Sequence, residues 1–391
     1  MNFPLMHNNI DVSDIEGLKN FLNAKNIKLT QGKKVREFEK KWSKWIGCKY
    51  SVFVNSGSSA NLLSISLLKI KYPKGGEVIV PSHTWVSDIA SVIQNGFKPV
   101  FVDIDLKHLG MNDNLIIKKI TKNTKAVFLS YIQGFNCLTK KLLQYLKKKK
   151  IILIEDVCES HGALFGKKKL GSFGWTSNFS FYYAHHITTI EGGMICTNDK
   201  LAYNNLLMLR SHGMLRESSD IKIKKEYYKQ YPDLNSNFIF CFPAYNVRNT
   251  EIGAVIGLNQ LKRLDKNITK RNNNLKYFLS RIRKDIYFTD FDLKGCSNYA
   301  FNIILNKPNK ILFEKICKNL KKNKIEYRVG AAGGGNQLRQ PYLKKILKMK
   351  DKDIKLYKNT DHIHFFGFYI GNYPDLSYHK IDKLVKVLNS I

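Results

Sequence analysis

Five short apolar runs, at residues 51–54, 77–80, 99–102, 126–130 and 151–155, alternate with helix-like stretches near 59–70, 84–94, 113–120 and 138–149. Of all the features of the sequence, this alternation most constrains the fold. Strands separated by a helix's length of chain cannot pair as hairpins, so they lie side by side in a mostly parallel sheet with helices on both faces. A helix over 34–46 precedes the first run, runs at 178–182 and 194–197 follow the fifth, and a long helical pattern begins near Thr250. Residues 266–284 read as a connecting helix. Beyond it, strand-like 300–305 and 326–329, helical 311–320 and a terminal helix from Tyr378 read as a small α+β unit. The expectation is an α/β chain: residues 1–265 a large, mostly parallel mixed-sheet domain with an N-terminal lead-in, and 266–391 the connecting helix and small C-terminal domain. A chain of 391 residues, 43% hydrophobic, can bury both cores.

Several function classes are set aside by composition. The net charge of +34 comes mainly from lysines in short runs such as 147–150 and 167–169, the pattern of solvated faces, and no nucleic-acid-binding module accompanies it. A positive field still favours an anionic substrate such as a diphosphate. The first residues lack the basic-then-apolar layout of a signal peptide, and no apolar run approaches the roughly 20 residues of a membrane span. A cytoplasmic protein without nucleic-acid or membrane partners is expected. Cys48, Cys137, Cys158, Cys196, Cys241, Cys296 and Cys317 are scattered without metal-ligand spacing, so no metal is implied.

Three segments carry chemistry. Asn55-Ser56-Gly57-Ser58-Ser59-Ala60-Asn61 lies between a strand and a helix, where a glycine turn, hydroxyls and the positive helix end suit a phosphate, although ordinary turns have the same composition. Leu153-Ile154-Glu155-Asp156 is a buried-strand pattern ending in carboxylates, at the edge where α/β sheets place ligands. Such a carboxylate can hold a pyridine-type nitrogen protonated, or can simply cap a neighbouring helix. The third, residues 179–193, contains Ser180, the pair His185-His186 and a Gly192-Gly193 turn; adjacent histidines point apart and do not make a metal pair.

The order of these motifs, from 32–46 through Ser56-Gly57-Ser58, Asp156 and Glu191-Gly192-Gly193 to Tyr245-Asn246-Val247-Arg248, resembles the DegT/DnrJ/EryC1/StrS family of nucleotide-sugar aminotransferases and dehydratases over nearly the whole chain. The resemblance implies the type I fold of PLP-dependent transferases, the aspartate-aminotransferase fold, with pyridoxal 5'-phosphate or pyridoxamine 5'-phosphate as cofactor. It implies that Ser56, Gly57, Ser58 and Ser180 hold the cofactor phosphate, that Trp85 stacks on the ring, that Asp156 pairs with the ring nitrogen and that Glu159 lies near the ring hydroxyl. Asn246 would reach the cofactor phosphate of a second subunit, making a homodimer with shared active sites.

One position departs from the family pattern. Where ordinary members read Ser-Phe-x-x-x-Lys, this chain reads Ser180-Phe181-Tyr182-Tyr183-Ala184-His185, so His185 replaces the lysine that anchors the cofactor. Imidazole cannot anchor it covalently but can take and return a proton near neutral pH. Within the family this replacement marks 3-dehydratases of nucleotide-linked 4-keto-6-deoxyhexoses. The missing cysteines around Ser211-His212-Gly213 favour the type that uses GDP-4-keto-6-deoxymannose and restores the amine cofactor with L-glutamate. The stretch Gly335-Asn336-Gln337-Leu338-Arg339-Gln340-Pro341-Tyr342 looks closer to the type acting on CDP-4-keto-6-deoxyglucose, which stands as an alternative. His212, Arg216 and Arg248 are candidates for holding sugar or amino donor. A sugar aminotransferase using another lysine, and a non-catalytic binding protein on the same scaffold, are the remaining alternatives.

Overall fold

The computed structural model describes residues 2–391. Helix α1 (Val12–Leu22) is closed by a capping box between Asp11 and Asp14. This helix lies where the sequence suggested only a polar lead-in, because its local signal is the cap rather than an apolar stripe. Helix α2 (Lys33–Ile46) buries Val35, Phe38, Trp42 and Ile46, spaced at three or four residues, on one face. Then follow β1 (Tyr50–Val54), α3 (Gly57–Lys71), β2 (Glu77–Pro81), α4 (Val86–Gln94), β3 (Lys98–Val102), α5 (Asp113–Lys119), β4 (Thr124–Ser130), α6 (Lys140–Lys149) and β5 (Ile152–Asp156). A small hairpin, β6 (Leu164–Phe165) and β7 (Lys168–Lys169), leads to β8 (Thr176–Ser180) and β9 (Gly193–Thr197).

Strands β1, β9, β8, β5, β4, β2 and β3 form one sheet in that order. From β8 to β3 all neighbours are parallel, whereas β9 runs antiparallel to both β1 and β8. The central strands are apolar on both faces because helices cover both. β8 begins two residues before the sequence estimate, since Thr176 and Ser177 are fully covered and pair with β5 and β9 despite being polar.

Helices α7 (Lys200–Arg210), α8 (Ile221–Gln230), α9 (Glu251–Leu261) and α10 (Leu264–Leu279) lead to the second unit. There β10 (Ala300–Ile304), α11 (Lys310–Lys322), β11 (Arg328–Val329), α12 (Pro341–Leu347), α13 (Asp351–Ile354), α14 (Lys358–Phe366), β12 (Gly367–Gly371) and α15 (Tyr378–Asn389) follow. The central strand of its three-stranded antiparallel sheet is β12, which no sequence pattern had suggested. Two segments cross the division drawn at residue 265. Phe3 bridges Ile325 and joins the small core, while Leu338, Leu343 and Ile354 pack back against β2, β3 and α4. Residues far apart in sequence thereby close the space between the two sheets. No helix among the described residues is long and apolar enough to cross a membrane.

Candidate functional site

A cleft of ≈ 340 Å³ opens at the carboxyl ends of the parallel strands. Ser56, Gly57, Ser58, Trp85, Asp156, Glu159, Ser180 and His185, from four separate stretches of the chain, all line it. Its phosphate-like end is the turn between β1 and α3. Ser56 caps α3 by accepting from the Ser59 N–H at 3.0 Å, leaving its neighbours' backbone donors at the positive end of the helix. Only glycine fits at 57, since a Cβ there would stand 2.5 Å from Ser180 Cβ. Gly193 is equally confined, because a Cβ would come 2.3 Å from the Ser56 carbonyl oxygen, so the glycine pair marks a close approach of β9 as well as a turn.

The two carboxylates ending β5 divide as successive strand residues must. Glu155 turns inward and accepts from the Gly171 and Phe173 N–H groups and the Tyr131 hydroxyl, a structural role. Asp156 faces the cleft, accepting from Cys158 N–H at 2.8 Å and Asn61 Nδ2 at 2.9 Å. Glu159 accepts from the Gln133 N–H at 2.9 Å. Burial pushes its carboxyl up to about 7, against the lowering effect of that hydrogen bond and with a contribution from Asp156. Trp85, at the N-cap of α4, is 50% exposed beside the cleft, a large apolar surface that a flat ring would cover.

His185 stands on the cleft wall, 5.9 Å ring to ring from His161 and 5.4 Å from Tyr299. It is 9% exposed, and its Nδ1 has no hydrogen-bond partner among the described residues. Burial, then the guanidinium of Arg271, pushes its pKa down to about 3, so the ring is neutral at pH 7. His186 turns away, its Nε2 3.1 Å from the carbonyl oxygens of Ser297 and Asn298. Among the described residues no three His, Cys, Asp or Glu side chains are grouped to hold a metal ion.

Four sequence candidates lie outside this cleft. His212 and Arg216 are exposed beyond α7, Arg216 stacking over Phe238. Asn246 bridges Ser211 and accepts from Arg248 Nε at 3.0 Å. Arg248 bridges Val54, beside the phosphate-like turn. Conversely, Asn61, Tyr182, Tyr299, Arg328 and Tyr369 line the cleft without having been singled out by the sequence reading. Tyr299, Arg328 and Tyr369 arrive from the chain beyond α10, and no spacing in the sequence links them to the β5 end.

The geometry fits a flat, phosphate-bearing cationic heterocycle: a capped helix end with no room for a Cβ, an aromatic plate, and a carboxylate at the opposite end without a protein cation. Comparison with known proteins agrees. The model of the DegT/DnrJ/EryC1/StrS aminotransferase family matches residues 8–389. GDP-4-keto-6-deoxy-D-mannose 3-dehydratase of Escherichia coli O55:H7 is 33% identical over 99% of this chain and 100% of its own. A crystal structure of GDP-4-keto-6-deoxymannose-3-dehydratase with a trapped PLP–glutamate geminal diamine matches with TM-score 0.85 and 31% identity, covering 99% of this chain and 100% of that one. A histidine-to-asparagine mutant of that dehydratase with bound GDP-perosamine matches with the same TM-score, identity and coverage.

Proposed function

Since the chain belongs to the DegT/DnrJ/EryC1/StrS aminotransferase family and has the type I fold of PLP-dependent transferases, we propose that it is a 3-dehydratase of a nucleotide-linked 4-keto-6-deoxyhexose, GDP-4-keto-6-deoxymannose, acting as a homodimer with L-glutamate as amino donor. One observation carries this reading. The position of the anchoring lysine holds His185, and no lysine lines the cleft among the described residues.

Bound pyridoxamine phosphate supplies an amine for the C4 ketone and a conjugated ring that accepts an electron pair. Ser56, the amide at Gly57, Ser58 and Ser180 would hold its phosphate, Asp156 would pair with the ring nitrogen, and Glu159 would hold or release a proton at the ring hydroxyl. Trp85 covers one ring face and excludes water. Neutral His185 would take a proton from the carbon beside the cofactor's amine and pass it to the departing C3 hydroxyl, serving as base and then acid. Because imidazole would not bond covalently to the carbonyl form of the cofactor, His185 would leave the site open to the amino donor. Asn246, His212, Arg216 and Arg248 do not line their own cleft, which fits a role at the site of a second subunit, toward cofactor phosphate, sugar or amino donor.

Product mass and ammonia release, measured with pyridoxal phosphate, glutamate and GDP-4-keto-6-deoxymannose beside the CDP-linked glucose analogue, test the reading. Replacement of the C3 hydroxyl by hydrogen is the expected result, with loss of that product in His185→Lys. An amino sugar from the unmodified protein points to an aminotransferase, and preference for the CDP-linked substrate corrects the nucleotide.

A further inference from the structure

Asp88 touches the floor of the cleft without lining it. It lies in the first turn of α4, three residues after Trp85, and is 0% exposed. Thr84 and Ser130 hydroxyls both donate short hydrogen bonds to its Oδ2. Asn61 Nδ2 donates to Asp88 Oδ1 at 2.7 Å and to Asp156 Oδ2 at 2.9 Å, so one amide nitrogen joins the two carboxyls. These contacts orient the Asn61 amide and leave its Oδ1, in a side chain 1% exposed on the cleft wall, without a protein donor.

No Lys, Arg or His forms an ion pair with Asp88 or Asp156 among the described residues. The titratable groups facing the pair are Cys158 and Glu159 after β5 and Tyr342 of α12, none of them a cation. The positive end of α4 favours charge on Asp88, but its partial charge is smaller than the full charge of a second carboxylate. Two like charges this close, screened from water, do not both ionise. Burial, then Asp156, holds the Asp88 carboxyl well above the usual carboxylate range.

We propose that Asp88 is a positioning residue for the cofactor's ring nitrogen: Asp88 and Asp156 share one proton, so the pair, tied together by Asn61, presents a single negative charge to a single positive ring. This rests on Asp156 being the ring nitrogen's partner. Protonated Asp88 donates to Asp156 and fixes its orientation, while the Thr84 contact clamps the turn that carries Trp85. A doubly charged pair would repel itself, and a fully protonated one would leave the ring cation unpaired.

Thermal unfolding of the cofactor-free protein between about pH 5 and about pH 9 tests the shared proton. A carboxyl that binds its proton more tightly when folded loses stability as pH rises above the unfolded range. Wild type should therefore become less stable relative to Asp88→Asn with rising pH, by up to about tenfold in the unfolding constant per pH unit. Parallel profiles overturn the proposal. Equilibrium binding of pyridoxal phosphate tests positioning: Asp88→Ala should bind about tenfold more weakly, and Asp88→Asn, which keeps the shape and a donor toward Asp156, should recover most of that loss. Equal affinity in Asp88→Ala and wild type overturns it too. Neither readout uses a sugar, so a wrong substrate assignment leaves both standing, whereas wild-type affinity in Asp156→Asn sinks the ring-nitrogen reading itself.

Discussion

Replacing Gly57 by alanine adds one methyl group where there is no room for it. The new Cβ would stand 2.5 Å from Ser180 Cβ, 3.0 Å from Ser180 Oγ and 3.1 Å from Cys158 Sγ. Carbon atoms settle at roughly 3.5–4.0 Å, so the turn and the end of β8 must separate by about 1 Å. Neither yields easily, because Ser56 caps α3 on one side and β8 is hydrogen-bonded between β5 and β9 on the other. Overpacking of this kind costs about 1–3 kcal/mol. Opening the turn relieves it only by moving the amides and the Ser180 hydroxyl proposed to hold phosphate, so a similar loss should appear in cofactor affinity, about 5- to 150-fold. Titration with pyridoxal phosphate, followed by tryptophan fluorescence and paired with thermal unfolding, measures both. Gly57→Ala combined with Ser180→Gly removes the clashing carbon and should recover stability while leaving affinity low, since the hydroxyl is gone. Wild-type affinity and unfolding temperature in Gly57→Ala, or no recovery of stability in the double variant, would refute the reasoning.

Acid should destabilise the protein through its buried imidazoles. Burial pushes His83 down to about 4 and His185 down to about 3, and holds His161 and His186 well below the ordinary range. The unfolded chain binds these protons below pH of about 6.5 and the folded one does not, so the contribution of these imidazoles is full above that pH and is lost on acidification, opposite in sign to that of the raised carboxyls of Asp88, Glu155 and Glu159; an unfolding temperature of His83→Gln that runs parallel to wild type from about pH 6.5 to about pH 4.5 would contradict it. Shared sites predict complementation: randomly assembled His185→Asn and Asn246→Ala subunits, each inactive alone, should regain about a quarter of wild-type dehydration, because half the dimers carry one intact site. Activity that stays at zero on mixing argues against sharing. Arg210 Nη1 pairs with buried Glu39 at 2.6 Å and donates to the Phe53 carbonyl at 2.8 Å. Arg210→Met strands that carboxylate and should cost about 3–5 kcal/mol by chemical denaturation, whereas a loss under about 1 kcal/mol would show that Glu39 finds another partner or its own proton.

Much of the frame was legible because it is local. The strand–helix alternation, the Ser56-Gly57 turn and the end of β5 each depend on contiguous residues whose pattern states their geometry, and the histidine at 185 stands out against a motif only six residues long. Helix α1 and strand β12 were not legible, since one is announced only by its cap and the other owes its place to β10 and β11 on either side. The same distinction governs the site. Residue type and position suggested Asp156 and His185, but not that Asp156 shares Asn61 with a second buried carboxyl, nor that His185 is wedged between His161 and Tyr299. Asp88 reads in sequence as an acidic residue in a helix's first turn, an ordinary partner for the helix dipole. Local sequence thus determined the strands of the large sheet, the turn and the identity of the proposed proton-transfer group. Only the tertiary structure decided which of these groups lost water and which charges were brought within reach of one another, because desolvation and Coulomb interaction depend on distance through space and not on separation along the chain.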